Sequence, residues 1–433
     1  MKANFLRVVV IIFSVDAAAS AMAQSIGTNE VTVEALVKEV LEKNLELNFY
    51  RTEIAAAKGE RRTAASWTNP ELSSQVGAKR AQDAQSGLMG EGLAWSVSVM
   101  QTFEYPGRAG LRKAIANRQI QLAELGLEQF KATLVAKTRA AAFEVFAAQA
   151  KADVADEVAE RFRALTDVFV QREPAGVTPL LETRIVEANT LTAQRKASEA
   201  KQATRVALVN LNQLRGRRAS DVLRIAQPDI SFEKLNSIER MIESAAANSF
   251  ELRIRRVELE QQGFRVSLAK NERYPSVSVG PFYSQDESGR VGEKERTVGV
   301  GVTVPLPLWN RNHGNIETAK AREKQAETSL SVALRDIERK IVENAAAYEA
   351  RLEEMSHWRA DSATKLREAA ELADRHYRQG AVPVATYVEL QKQYLEAMEA
   401  ILETKHDALQ AAQELEILTG LPLYKVQASA SEE

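Results

Sequence analysis

The chain has 433 residues, and its 27% of charged residues balance to a net charge of −2, so no basic field marks it as a nucleic-acid binder. Aromatic residues make up only 6%, while Ala, Glu, Leu, Arg and Lys fill long stretches, a composition that favours long helices over sandwiches or α/β layers. Cysteine is absent, so neither disulfide support nor acylation of a terminal cysteine is expected.

The first segment reads as a secretory signal over residues 1–23. Lys2 and Arg7 supply the positive start, and Val8 to Val15 form an apolar core too short to span a bilayer. Ala21-Met22-Ala23 provides a small-x-small cleavage site before Gln24, although Asp16 sits awkwardly beside the core. The mature chain is therefore expected to be exported. No later segment approaches the roughly 20 apolar residues of a membrane helix. Entry into a membrane would then require a closed β-barrel.

Next comes a helix from Thr32 to about Ser66, then strands over Glu71–Lys79 and Leu93–Met100, joined by a polar loop from Arg80 to Gly92. A long helix from about Leu111 to Glu173 leads into the turn Gly176-Val177-Thr178-Pro179, and a further helix runs from Pro179 to about Leu214. The same order then repeats. A helix from Phe232 to about Asn271 precedes strands over Ser276–Tyr283 and Val298–Val304, with a loop from Ser284 to Glu295. A long helix over Asn315–Gln379, the turn Gly380-Ala381-Val382-Pro383 and a last helix to about Leu418 complete the second copy. Three landmarks hold the copies in register: Asn69-Pro70 recurs as Tyr274-Pro275 after 205 residues, Gly176 as Gly380 after 204, and Leu214-Arg215-Gly216 as Leu418-Thr419-Gly420 after 204. The expected division is 24–225 and 226–433.

Asn315–Gln379 contains neither Gly nor Pro, and at 1.5 Å per residue such a helix spans about 100 Å. It cannot fit inside a compact globule and must lie in a bundle, a coiled coil or a wall of rods. The two shorter helices of each copy, stacked end to end, match one long helix in length. The strands carry a different pattern. Val298, Val300, Val302 and Val304 alternate with Gly299, Gly301 and Thr303, and Leu93, Trp95, Val97 and Val99 alternate with Ala94, Ser96, Ser98 and Met100. Period two with one apolar and one small polar face suits lipid outside and water inside. Pro70, Pro106, Pro275, Pro305 and Pro307 stand where strand must change to helix. Four strands cannot close a barrel, so the chain must oligomerise: two copies give eight strands and a filled interior, three give twelve and room for a lumen.

Catalytic chemistry is not evident. His313, His357, His376 and His406 form no zinc spacing, the methionines are scattered, and no phosphate loop, nucleophile elbow or paired carboxylate stands in a cleft context. No catalytic residue, cofactor site or metal site is assigned, and the chain is not expected to be an enzyme. The Glu and Arg residues recur along helices, where solvated faces and i,i+4 pairs account for them. The two turns are the best site candidates. Gly176 and Gly380 free the backbone to end a helix, and Pro179 and Pro383 start the next one.

Val31-Thr32-Val33-Glu34-Ala35-Leu36 followed by Asn44, then Asn69-Pro70-Glu71-Leu72, then Arg378-Gln379-Gly380 with Glu389 and Leu390, occur in an order and duplication that resemble the outer membrane factor family, the TolC-like channels. The segment Gln101-Thr102-Phe103-Glu104-Tyr105-Pro106-Gly107-Arg108, followed by Leu111-Arg112-Lys113, is most similar to the cobalt–zinc–cadmium branch. The resemblance implies a mostly α fold with a small β part: a homotrimeric 12-stranded barrel in outer-membrane lipid, continued by a periplasmic α-barrel. It also implies a periplasmic adaptor (membrane fusion) protein and an inner-membrane RND-type pump as partners, with the channel a passive exit duct for divalent heavy-metal cations. Drug efflux and type I secretion use the same fold, and a periplasmic coiled-coil scaffold is the alternative of another class. By the resemblance, Gly176, Val177, Thr178, Pro179, Gly380, Ala381, Val382 and Pro383 are the adaptor-docking tips. Glu182 and Glu389 match positions near the pore constriction; Thr386 stands where some relatives carry an acid.

Overall fold

A computed structural model describes residues 30–82, 88–172, 180–235, 237–287, 294–358 and 362–428. The signal segment and the first turn, Gly176 to Pro179, lie outside the described residues. The elements in chain order are α1 (Val33–Lys43), α2 (Glu46–Ala65), β1 (Glu71–Gln82), β2 (Leu88–Phe103), α3 (Arg108–Arg172) and α4 (Leu180–Arg215). There follow β3 (Pro228–Phe232), α5 (Ile238–Asn248), α6 (Phe250–Asn271), β4 (Val277–Asp286), β5 (Glu295–Thr303), α7 (His313–Ser356), α8 (Ser362–Arg378), α9 (Val384–Thr419) and β6 (Tyr424–Ala428).

Three expected helices are divided. The helix from Thr32 breaks at Asn44, which is buried and extended. The Asn44 amide donates to the Leu214 carbonyl at 3.0 Å, and its Oδ1 accepts from the Glu46 N–H at 2.9 Å, so its side chain replaces a helical turn with a cap and a tether. Phe232 belongs to β3, and the buried Ser249, at φ −55° and ψ 124°, separates α5 from α6. The second long helix also ends early. At Ser356 the ladder tightens, with His357 N–H donating to the Glu354 carbonyl at 3.2 Å and Trp358 N–H to the Met355 carbonyl at 3.0 Å. The Ser356 hydroxyl donates to the Glu353 carbonyl at 2.6 Å, a local bond that competes with helix propagation without any Gly or Pro.

The rods assemble as their lengths suggest. α3, with 65 residues, spans about 100 Å. α4 and α2 meet end to end at the Asn44–Leu214 bond and both lie along α3. Tyr50 of α2 stacks on Phe130 at 4.5 Å, and Thr204 of α4 donates to the Ala148 carbonyl at 3.0 Å. The other flank of α3 takes the second copy's pair: Arg118 meets Glu260 of α6 at 2.9 Å, and Arg161 donates to Gln391 of α9 at 2.8 Å. α6 and α9 in turn carry α7 and α8, through Asn312 to the Ala269 carbonyl at 2.8 Å, Arg351 to Asp407 at 2.9 Å, and Gln391 to the Ala370 carbonyl at 2.9 Å. The product is a wall whose two flanking edges are α2 with α4 and α7 with α8. Alanines at 0% exposure, Ala142, Ala345, Ala408 and Ala412, let the rods approach closely.

A second, small sheet leaves no mark in the sequence pattern. β3 and β6 pair antiparallel midway along the wall, with Phe232 opposite Tyr424. The buried Tyr348 hydroxyl lies 2.8 Å from the Glu233 carbonyl and 3.1 Å from that of Leu423. Burial, with the Glu233 charge adding to it, pushes the phenol up to about 12, so it stays protonated and holds both strand ends to α7.

Candidate functional site

The four long strands form one antiparallel sheet in the order β1-β2-β4-β5. Its register sorts the side chains. Leu72 faces Val99, Val76 faces Trp95, Val97 faces Tyr283, Val279 faces Val302, and Tyr283 faces Val298, so these residues share one face. That face is apolar across all four strands and is exposed, with Val76 at 75% and Val298 at 77%. Trp95 and Tyr283 lie ring to ring at 5.2 Å on it. The opposite face carries Ser73, Gln75, Gly77, Ser96, Ser98, Ser278, Gly299, Gly301 and Thr303. There Lys79 reaches Asp286 at 2.9 Å over β2, where Gly92 and Ala94 are small enough to let it pass. Phe282 places an aromatic ring on this face. A Cβ at Gly299 would come within 2.7 Å of its ring, so that glycine makes its seat.

Among the described residues no helix is long and apolar enough to cross a membrane. The loops are shorter than expected, because β1 continues to Gln82, β2 starts at Leu88, β4 ends at Asp286 and β5 starts at Glu295.

Where sheet meets wall, the segment Glu104 to Arg112 builds a clamp. Gly107 adopts φ +88° and turns the strand into α3. Arg108 then donates to Asn271 Oδ1 at 3.1 Å, Ser276 Oγ at 2.9 Å and the carbonyls of Asn271 and Tyr274 at 3.2 and 2.7 Å. Asn271 returns a bond to the Pro106 carbonyl at 3.0 Å, Tyr105 stacks on Tyr274 at 4.3 Å, and Arg112 meets Glu104 at 2.6 Å. The sequence marked this segment as distinctive without giving it a physical role; a single arginine at the first turn of a helix leaves no periodic signal.

At the far end of the wall, α8 turns into α9 through Gly380 at φ +74°. Gly380 N–H donates to the Tyr377 carbonyl at 2.9 Å and Ala381 N–H to that of His376 at 3.0 Å, satisfying the last carbonyls of α8. Pro383 caps α9 in an extended conformation. Beneath this turn the Tyr387 hydroxyl donates to Asp374 at 3.2 Å, Arg378 meets the same carboxylate at 2.9 Å, and Tyr377 stacks on Tyr387 at 5.0 Å. Burial raises the Tyr387 phenol, and the Asp374 charge raises it further. None of these supports stands out in the sequence, although Asp374 and Arg378 stand at an i,i+4 spacing.

Glu389 projects from the exposed face of α9, where its Oε1 accepts from Gln393 at 2.9 Å; Tyr387, Val388 and Gln391 are buried around it. Glu182 is half-buried in the first turn of α4. His313, His357 and His376 are exposed, and His406 stacks on Phe143 at 6.0 Å. Among the described residues no three His, Cys, Asp or Glu side chains gather as a metal site.

Midway along the wall, Glu39 of α1 holds Arg215 at 2.9 Å, Arg217 at 2.7 Å and Lys43 at 3.1 Å. Burial alone would raise this carboxyl, but the hydrogen bonds from Arg217, Arg215 and Lys43 outweigh it and lower its pKa to about 2.

The family model for outer membrane efflux proteins matches the chain twice, over residues 36–217 and 241–421. The cobalt-zinc-cadmium resistance protein CzcC of Cupriavidus metallidurans is 24% identical over 301 residues, covering 69% of this chain and 68% of that protein. Among solved structures, a membrane protein of Pseudomonas aeruginosa superposes with a TM-score of 0.71 at 18% identity, over 90% of this chain and 93% of that one. The CmeC outer membrane channel of Campylobacter jejuni superposes with a TM-score of 0.67 at 16% identity, over 96% and 94%. The duplicated rods and strands, the two family matches and the shared fold lead to one conclusion: the chain belongs to the outer membrane efflux protein family.

Proposed function

We propose that the protein is the outer-membrane exit duct of a tripartite efflux system, a homotrimer with a 12-stranded barrel in outer-membrane lipid and an α-helical tunnel in the periplasm. The observation that carries this reading is the four-stranded sheet whose exposed apolar face continues across every strand, while both edge strands, β1 and β5, lack an outer neighbour among the described residues. Exposed edges and an exposed apolar face are costly in water. Three copies joined edge to edge would cover the edges, turn the apolar face to lipid and enclose the Ser- and Gly-lined face around water. The two family matches support a division into repeats over 24–225 and 226–433.

Divalent heavy-metal cations are the proposed substrate, on the strength of the likeness to CzcC. A periplasmic adaptor and an RND-type pump are the proposed partners, with the turns at 176–179 and 380–383 as docking tips. The contacts among Asp374, Arg378, Tyr377 and Tyr387 brace such a tip from beneath. Glu389 and Glu182 are the proposed constriction residues. In a trimer each forms a ring of three carboxylates, which concentrates cations in a narrow pore.

Membrane fractionation with unheated electrophoresis tests the first step: a heat-sensitive oligomer in the outer membrane is expected, and a soluble periplasmic monomer would end the proposal. Deleting the gene should sensitise cells to cobalt, zinc or cadmium; sensitivity to lipophilic drugs alone would assign the duct to another cargo. In a planar bilayer, Glu389→Gln should shift the reversal potential toward lower cation preference, and adding Glu182→Gln should shift it further. Unmoved potentials in both variants would remove these acids from the pore.

A further inference from the structure

The seam between the two repeats inside the chain is a template for the seam between copies. The hairpins β1–β2 and β4–β5 share one pairing register at a constant offset: Pro70 corresponds to Pro275, and Gly107 to Asn312, the left-handed residues that precede α3 and α7, each 205 residues on. Inside the chain, β2 pairs with β4 so that Val97 faces Tyr283, Ser98 faces Phe282 and Phe103 faces Val277. Glu287 N–H donates to the Leu93 carbonyl at 3.0 Å, so odd-numbered β2 residues point their backbone groups at β4.

Resting on the oligomeric barrel proposed above, we infer that β5 of one copy pairs antiparallel with β1 of the next in the register obtained by carrying the β2–β4 seam across this offset, with Val302 opposite Ala78 and Thr303 opposite Gly77. Four features agree. Val302 and Ala78 both belong to the apolar face and Thr303 and Gly77 both to the polar one, so the register keeps each face continuous around the ring. The backbone groups of Val298, Val300 and Val302 on one edge, and of Leu72, Ser74 and Val76 on the other, face outward along the two rows this register joins. β5 ends at Thr303, the counterpart of Ser98, whereas β2, paired on both sides, runs on to Phe103. Beyond Thr303 the chain bends, with the Leu308 N–H on the Leu306 carbonyl at 2.9 Å; straightened by pairing, the same offset puts Leu308 opposite Leu72, two apolar side chains at 62% and 73% exposure that have no strand neighbour at this edge among the described residues. Pro305 and Pro307 do not obstruct the extension. They occupy odd positions of that strand, where the missing N–H would point back toward β4 and not at the next copy.

A chain without cysteine makes the register directly testable by disulfide trapping in the full-length protein in membranes. Thr303 and Gly77 would form a pair of the kind not joined by hydrogen bonds, with Cα atoms about 4.5 Å apart, inside the disulfide range. A Cβ at Gly77 meets nothing within 4 Å. The double variant Gly77→Cys, Thr303→Cys is expected to shift the chain to covalent dimers and trimers on oxidation. Gln75→Cys with Thr303→Cys, slipped by two residues to about 8 Å, is expected to stay monomeric on a denaturing gel. Ala78→Cys with Val302→Cys tests the same register on the other face if the first pair misfolds. Trapping through the slipped pair and not the in-register pairs would overturn the register while leaving the oligomeric barrel standing. No trapping by any pair, together with a monomeric mass in detergent, would overturn both.

Discussion

The two strand-to-helix turns occupy equivalent places in the two repeats and are finished differently. After β2, Gly107 leads into a helix whose Arg108 grips Asn271, Tyr274 and Ser276 of the second repeat. After β5, Asn312 makes the same left-handed turn at φ 61°, but His313 stands where the arginine would be. Here Trp309 is 94% exposed and Leu306 71% exposed. The same position is satisfied within the chain at one turn and left open at the other. In the proposed ring a repeat needs a neighbour on each side, and one chain supplies only one of the two seams.

Breaking the closed turn is expected to have the largest effect. Arg108→Ala removes four charge-assisted bonds, leaving the Asn271 carbonyl with only the Tyr274 N–H, a loss of about 3 kcal/mol, read as a lower denaturation midpoint in detergent. His313→Ala at the open turn should stay within about 0.5 kcal/mol. Equal losses would erase the contrast between the turns.

A smaller effect is expected at Glu39, which ties α1 to the end of α4 in the first repeat. Its folded pKa lies below the ordinary 4.5, so its contribution is present above that value and is lost as pH falls through about 2. Glu39→Gln should cost about 2 kcal/mol at neutral pH and flatten the acid limb of the stability profile. An unchanged limb would assign acid sensitivity elsewhere. The tip comes next. Gly380→Val strains a left-handed position by about 1–2 kcal/mol, although nothing stands within 4 Å of the added Cβ, and adaptor cross-linking should fall with it. The smallest change runs the other way. Gly59 lies inside α2 with open space around it and no positive φ, so Gly59→Ala should stabilise by about 0.5–1 kcal/mol. Destabilisation there would mean that the outer edge of α2 is already occupied by a neighbour.

Much of this architecture was legible because periodicity reports which side chains share a face. The valine alternation at 298–304 and the Gly-free run from 315 marked strand and rod, and Gly380 with Pro383 marked the turn between rods. The helix breaks were not legible. Asn44 and Ser249 interrupt helices at buried positions with non-helical backbone, and Asn44 also tethers the end of α4, a partner 170 residues away. The β3–β6 pair escaped for the same reason: five-residue strands nearly 200 positions apart carry too little pattern to be matched in advance. The clamp at Arg108 and the Asp374–Tyr387–Arg378 support were also hidden, because each draws its partners from separate segments.

By itself, the sequence determined that the chain is a duplicated unit of rods and amphipathic strands too long for a compact globule, since repeat spacing, hydrophobic period and the placement of Gly and Pro are local properties of the polymer. Only the tertiary structure decided which strands are neighbours, which face of the sheet is apolar across all four strands, and where the helices break. Those outcomes depend on hydrogen bonds and buried contacts between residues distant in the chain, whose energies exist only once the segments have met.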